Sequence, residues 1–159
     1  MDDNQLMRYK RHLMLPQLDI EGQQRVLDAS ALVVGTGGLG SPVLMYLAAA
    51  GVGKLHLYAD DKVEISNLQR QILFDSTMLG KSNAETAAER LRAVNPDCVV
   101  VAVASRLEGE LLNDAVALFD LVIDCSDNFD TRFAVNRACV QQQKTLVSGA
   151  VIRMEGQVS

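Results

Sequence analysis

The chain has 159 residues, of which 48% are hydrophobic and 22% charged, with a formal net charge of -5. This is one domain's worth of sequence with enough apolar content for a core, and no apolar run is long enough to cross a bilayer. Acids and bases are interspersed, which argues against a general nucleic-acid surface, and the acidic start Met1-Asp2-Asp3-Asn4 lacks the basic segment of a secretion signal. Cys98, Cys125 and Cys139 lie far apart and form no C-x-x-C pair, the pattern of reduced cytosolic thiols rather than of a disulfide framework or a zinc site.

In chain order, residues 6–15 read as a short amphipathic helix carrying Arg8, Tyr9, Lys10, Arg11 and His12 and ending near Pro16. Residues 19–28 form a second helical piece. Ala31-Leu32-Val33-Val34 is an apolar run of strand length that enters the turn Gly35-Thr36-Gly37-Gly38-Leu39-Gly40. A helix is expected from Ser41, with Pro42 at its first position, where a missing N–H costs nothing. Ala48, Ala49 and Ala50 allow close packing on a sheet, and Gly51 ends the helix. Residues 55–58 make the second strand, closing a right-handed strand–helix–strand unit.

Next come the acidic pair Asp60-Asp61 and the polar block Ser66-Asn67-Leu68-Gln69-Arg70-Gln71. Ser82-Asn83-Ala84-Glu85 reads as a capping box opening a helix to about Val94, which Asn95-Pro96 stops. Residues 98–104 form a β-branched strand and 108–119 a helix. Leu121-Val122-Ile123-Asp124 is a buried strand of the parallel type, and it delivers Ser126-Asp127-Asn128 to the sheet edge where the glycine turn lies. A helix over 131–142 and the strand Thr145-Leu146-Val147 follow. The expected fold is α/β, a Rossmann-like parallel sheet flanked by helices, with a short N-terminal helical arm. The pattern runs to Val158-Ser159 without a closing element, so the chain reads as a piece of a longer protein.

The glycine turn fits G-x-G-x-x-G between a strand and a helix, where backbone N–H groups and the helix dipole favour a phosphate. Taken alone, this motif points to a dinucleotide. Asp60 and Asp61 stand about 20 residues on, where a ribose-binding acid is expected. Arg70, flanked by amides, puts a bidentate phosphate grip where ordinary dinucleotide binders have none. Asp60, Asp61, Arg70 and Asp127 all fall at carboxyl ends of parallel strands, and an arginine with an aspartate suits a metal-bound triphosphate.

These segments, with Arg8-Tyr9-Lys10-Arg11-His12, Gly51-Val52-Gly53 and Gly149-Ala150-Val151-Ile152-Arg153-Met154-Glu155-Gly156-Gln157, resemble the MoeB/ThiF family of adenylyltransferases related to ubiquitin-activating enzymes. The resemblance covers nearly the whole chain, taken as the N-terminal, nucleotide-binding part of such a domain. It implies ATP- and Mg2+-dependent activation of the C-terminal glycine of a ubiquitin-fold sulfur-carrier protein, for molybdopterin or thiamine-type sulfur transfer. It places nucleotide contacts at Gly35, Gly37, Gly38 and Gly40 and along Ser66, Asn67, Leu68, Gln69, Arg70 and Gln71. Asp127 would hold Mg2+ with Asn128 beside it, and Arg11 would reach into the partner subunit's site, implying a cytoplasmic homodimer. Zinc is expected only in the part of the family domain that would follow residue 159.

Three departures accompany the resemblance. The family's ribose-binding aspartate falls on Ala59, so Asp60 can substitute only if the strand has ended, since a one-residue offset reverses a side chain's face. The phosphate-binding lysine falls on Asn83, with Lys81 just outside the helix as a stand-in. None of the cysteines takes the zinc or crossover-thiol roles. Two rivals remain at this point: a carrier-binding module with an impaired ATP site, and an NAD-dependent oxidoreductase, which would leave Arg70, Arg11 and Asp127 unexplained.

Overall fold

The computed structural model describes all 159 residues as seven helices and six strands. Strands β1 (Ser30–Val34), β2 (Lys54–Tyr58), β3 (Val99–Val103), β4 (Leu121–Asp124), β5 (Thr145–Ile152) and β6 (Glu155–Val158) form one sheet in the order β3-β2-β1-β4-β5-β6. The first five pair in parallel, and β6 returns antiparallel along β5. Strand β1 is buried on both faces because its side chains alternate. Ala31 and Val33 join the layer of helices α4 (Gly40–Ala50) and α5 (Asn83–Val94), through Leu44, Ala48, Ala87 and Leu91. Leu32 and Val34 join the layer of α6 (Gly109–Ala117) and α7 (Phe129–Gln141), through Leu112, Val116, Val135 and Ala138. The helices following β1 and β4 thus leave on opposite faces, and the crevice where they diverge lies beyond the carboxyl ends of both strands.

The expected helices shift in ways with local causes. The arm is two helices rather than one: α1 (Asp3–Arg8) and α2 (Lys10–Leu13). Asp2 starts α1 early by a reciprocal capping box, accepting from the Gln5 amide at 2.8 Å while its own amide donates to the Gln5 side chain at 3.2 Å. The break falls at Tyr9, whose ring is 1% exposed and whose hydroxyl accepts from Asn95 Nδ2 at 2.8 Å. The ring lies on Gly51, where a Cβ would come within 2.6 Å of it, and Gly51 also takes the left-handed φ of 93° that ends α4. Helix α3 (Asp19–Asp28) is as expected.

Helix α4 begins one residue early, at Gly40, so Pro42 stands third. In α5 only half of the capping box forms: Ser82 Oγ accepts from the Glu85 amide at 3.4 Å. Helix α7 begins at Phe129 because Asn128 Oδ1 caps it, accepting from the Thr131 amide at 2.9 Å. Strand β5 extends to Ile152 rather than stopping at Val147, since a two-residue turn at Arg153 and Met154 folds β6 back along it.

Candidate functional site

The glycine turn is built by contacts only glycine allows. Gly35 has a φ of 94°, and a Cβ there would lie 3.0 Å from the Cys125 carbonyl at the end of β4. A Cβ on Gly40 would lie 2.0 Å from the Gly35 carbonyl, so the turn could not close onto the start of α4. Inside it, the amides of Gly37, Gly38 and Leu39 donate to no backbone carbonyl of the chain. Free N–H groups at the head of an 11-residue helix are an anion cradle.

The polar block lies across this cradle. The aliphatic stem of Arg70 sits over Gly38, with Cγ and Cδ both 3.2 Å from where a Cβ would be. Its guanidinium is exposed and turned towards the Ser66 carbonyl at 3.5 Å. A short 3-10 turn, Ile65–Asn67, carries the block, and the Asn67 carbonyl accepts from the amides of Arg70 and Gln71. Leu68 anchors it on the core, while Gln69 Nε2 donates to Ser66 O and Ser66 Oγ to Glu64. Gln71 is buried with its Nε2 3.8 Å from the Cβ position of Gly37, and its Oε1 has no partner.

At the end of β2, backbone pairing runs one residue past the strand, since the Ala59 amide donates to Val103 O at 3.2 Å. The Ala59 methyl therefore stays on the core face with Leu55 and Leu57. Asp60 is exposed beside Arg106, 3.8 Å from its Nε. The Asp61 carboxyl is pushed up from its ordinary pKa by burial first, then by Asp60, Asp127 and Glu64. Asp61 and Asp127, reached from β2 and β4 on either side of β1, thus share one negative field. Asn83 is 1% exposed with its Oδ1 unpartnered, and its amide donates to Asp61 O. Lys81 is exposed, with its carbonyl paired to the Val63 amide and its charge felt by Asp75.

Asp127 is exposed, its one contact a 3.5 Å approach from Asn128 Nδ2. Beneath it Asp124 and Ser126 join a network with Arg132 and Ser148, two residues not singled out in the sequence. The signal was an acid closing an apolar buried strand, which requires a partner. Arg11 lies elsewhere. Its arm packs through Tyr9 and Arg8 on the C-terminal ends of α4 and α5, where the Arg8 guanidinium donates to Val94 O at 3.2 Å. That is the end of the sheet where the strands begin, opposite the glycine turn.

A magnesium ion needs one or two carboxylates and completes its shell with phosphate and water, so Asp127 beside a phosphate cradle fits one. No three His, Cys, Asp or Glu side chains cluster as an all-protein metal cage would require. The cysteines are buried and free, and burial pushes the thiols of Cys98 and Cys125 up to about 11, which keeps them protonated at neutral pH. No helix is long and apolar enough to cross a membrane.

Comparison with known proteins identifies the family. A ThiF family profile matches residues 9–159. The sulfur carrier protein ThiS adenylyltransferase of Escherichia coli is 44% identical over 158 residues, which cover 99% of this chain and 63% of that protein. The molybdopterin-synthase adenylyltransferase of Salmonella typhimurium is 42% identical over 159 residues, 100% of this chain and 64% of that one. Among solved structures, the Escherichia coli dehydratase TcdA in complex with ATP superposes with a TM-score of 0.87 at 29% identity, over 96% of this chain and 64% of that chain. This chain therefore spans less than two thirds of the length of each.

Proposed function

Since the chain belongs to the ThiF family, we propose that it is the nucleotide-binding part of an adenylyltransferase acting with Mg-ATP on the C-terminal glycine of a ubiquitin-fold sulfur-carrier protein. The observation that carries this reading is Arg70 lying over Gly38, at the mouth of a cradle of free amides, with Asp127 at the neighbouring strand end. A dinucleotide needs no such cation.

The chemistry suits these residues. A C-terminal carboxyl group has a pKa of about 3.5 and is ionised at neutral pH, so no general base is required. A carboxylate oxygen attacks the α-phosphorus, the bond from that phosphorus to the bridging oxygen breaks, and pyrophosphate leaves with the electron pair. An acyl adenylate remains. The barrier is an anion approaching an anion, so positioning and charge neutralisation do the catalysis. Amides of the glycine turn and Arg70 would hold the phosphates. Asp127 would hold Mg2+, which supplies charge neutralisation at the phosphates, and Asn128 would steady that carboxylate.

Two roles change hands. Ala59 keeps its methyl in the core, so a ribose-binding acid would come from Asp60 or Asp61. Asp60 must leave Arg106 to serve. Asn83 offers a neutral amide where the family pattern has a lysine, and Lys81 would swing over the α5 N-terminus. Arg11, at the far end of its own chain, would complete the site of a second copy in a homodimer. The related enzymes of thiamine and molybdopterin-type sulfur transfer indicate the carrier class. Calorimetry on the full-length protein tests the nucleotide: Mg-ATP should bind more tightly than NAD, and the reverse ranking would overturn the proposal.

A further inference from the structure

Strand β4 is apolar up to its last residue, Asp124, whose carboxylate is 1% exposed. A charge so placed has to be fully engaged. Its Oδ1 accepts from the Ser126 amide at 2.9 Å and from Ser126 Oγ at 2.6 Å, while Oδ2 accepts from Ser148 Oγ at 3.1 Å. Arg132, one turn into α7, lies 3.5 Å from Oδ2, donates to Ser148 Oγ at 3.3 Å and closes on the Ser126 carbonyl through Nη2. Ser148 is the β5 residue in register with Asp124. Ser126 is thereby held at its amide, hydroxyl and carbonyl. On the other side, Asn128 is held by its cap to Thr131. Asp127 is the residue between two fixed neighbours, and its own exposed carboxylate meets only Asn128 Nδ2, at 3.5 Å.

We propose that Arg132 and Ser148 are positioning residues that aim Asp127 at the bound nucleotide, acting through the turn between β4 and α7. The inference rests on the reading of Asp127 given above. A guanidinium paired with a buried carboxylate can also serve stability alone, and the two roles separate in a double-mutant cycle. Mg-ATP affinity of the full-length protein is measured by calorimetry for Arg132→Met, Ser148→Ala and Asp127→Ala, and for each of the first two combined with Asp127→Ala. Arg132→Met should weaken binding roughly 10-fold, and Ser148→Ala roughly 3-fold. In the Asp127→Ala background neither should weaken it further. Ser148→Ala leaves the Asp124–Arg132 pair in place, so it carries the test if Arg132→Met does not fold. Amide exchange at residues 124–128, without nucleotide, should also quicken in Ser148→Ala. Losses that multiply independently in the doubles, or single variants that bind normally while Asp127→Ala does not, would overturn the inference. Unchanged affinity in Asp127→Ala would remove Asp127 from the site, and this inference with it.

Discussion

Arg70 shows how one side chain can be legible in type yet unplaced by sequence. Its stem needs the missing Cβ of Gly38, 32 positions earlier, and beyond that contact the exposed guanidinium meets only the Ser66 carbonyl, at 3.5 Å. Arg70→Ala should lower ATP–pyrophosphate exchange by roughly 100-fold, the usual cost of losing a charge-stabilising donor. Arg70→Lys should recover only part of that, because a point charge does not replace the planar fork. Wild-type exchange rates in the alanine variant would take Arg70 out of the mechanism. His56 makes a residue-scale prediction about stability. Its Nε2 is buried without a partner, its ring lies 4.6 Å from Phe119, and burial, then Lys54, lowers its pKa. The folded state therefore binds its proton less readily than the unfolded chain. The stability this contributes is fully present above the ordinary histidine pKa of 6.5 and is lost as pH falls from there through the folded value. Denaturant melts of His56→Phe should show a flatter loss of stability below that pH than the wild type.

At the scale of elements, the arm is fastened through a single aromatic anchor. Tyr9 interrupts what would otherwise be one helix and plugs the gap between Gly51 and Asn95, so α1 and α2 depend on it more than on their own four to six residues. Tyr9→Phe should cost about 1 kcal/mol in urea unfolding, because Asn95 Nδ2 retains the Ala48 carbonyl at 2.7 Å as an alternative acceptor. Tyr9→Ala should cost several times more and speed amide exchange throughout α1 and α2. The start of α5 makes the opposite case. Asn83 is enclosed at the first turn, so Asn83→Lys, which puts an ammonium there, should lower the melting temperature without nucleotide. Recovery of that loss on adding Mg-ATP would show the new ammonium meeting phosphate.

For the whole molecule, the sheet order puts the glycine turn, Arg70 and Asp127 at one end and the arm with Arg11 at the other. Within one copy Arg11 has no route to the cradle. Mixing Arg11→Ala protomers with Asp127→Ala protomers of the full-length protein should therefore regenerate sites with both residues intact and restore part of the exchange activity. Mixed dimers with no regained activity would show that Arg11 does not act across an interface.

Much of this was legible along the chain because it is local. An apolar run ending in G-x-G-x-x-G, a β-branched strand after Asn95-Pro96 and an acid at the end of β4 each carry their own period or turn chemistry, so the parallel α/β order and the site segments followed. Tertiary structure decided what depends on distant partners. Tyr9 split the arm because Gly51 and Asn95 lie beneath it, and β5 ran on because β6 returned to pair with it. Asp60 turned to Arg106 because the ladder to β3 held Ala59 in the core for one more residue. Arg132 and Ser148 stayed unread because neither belongs to a short motif. A buried carboxylate specifies that a partner must exist, and only packing decides which distant residues supply it.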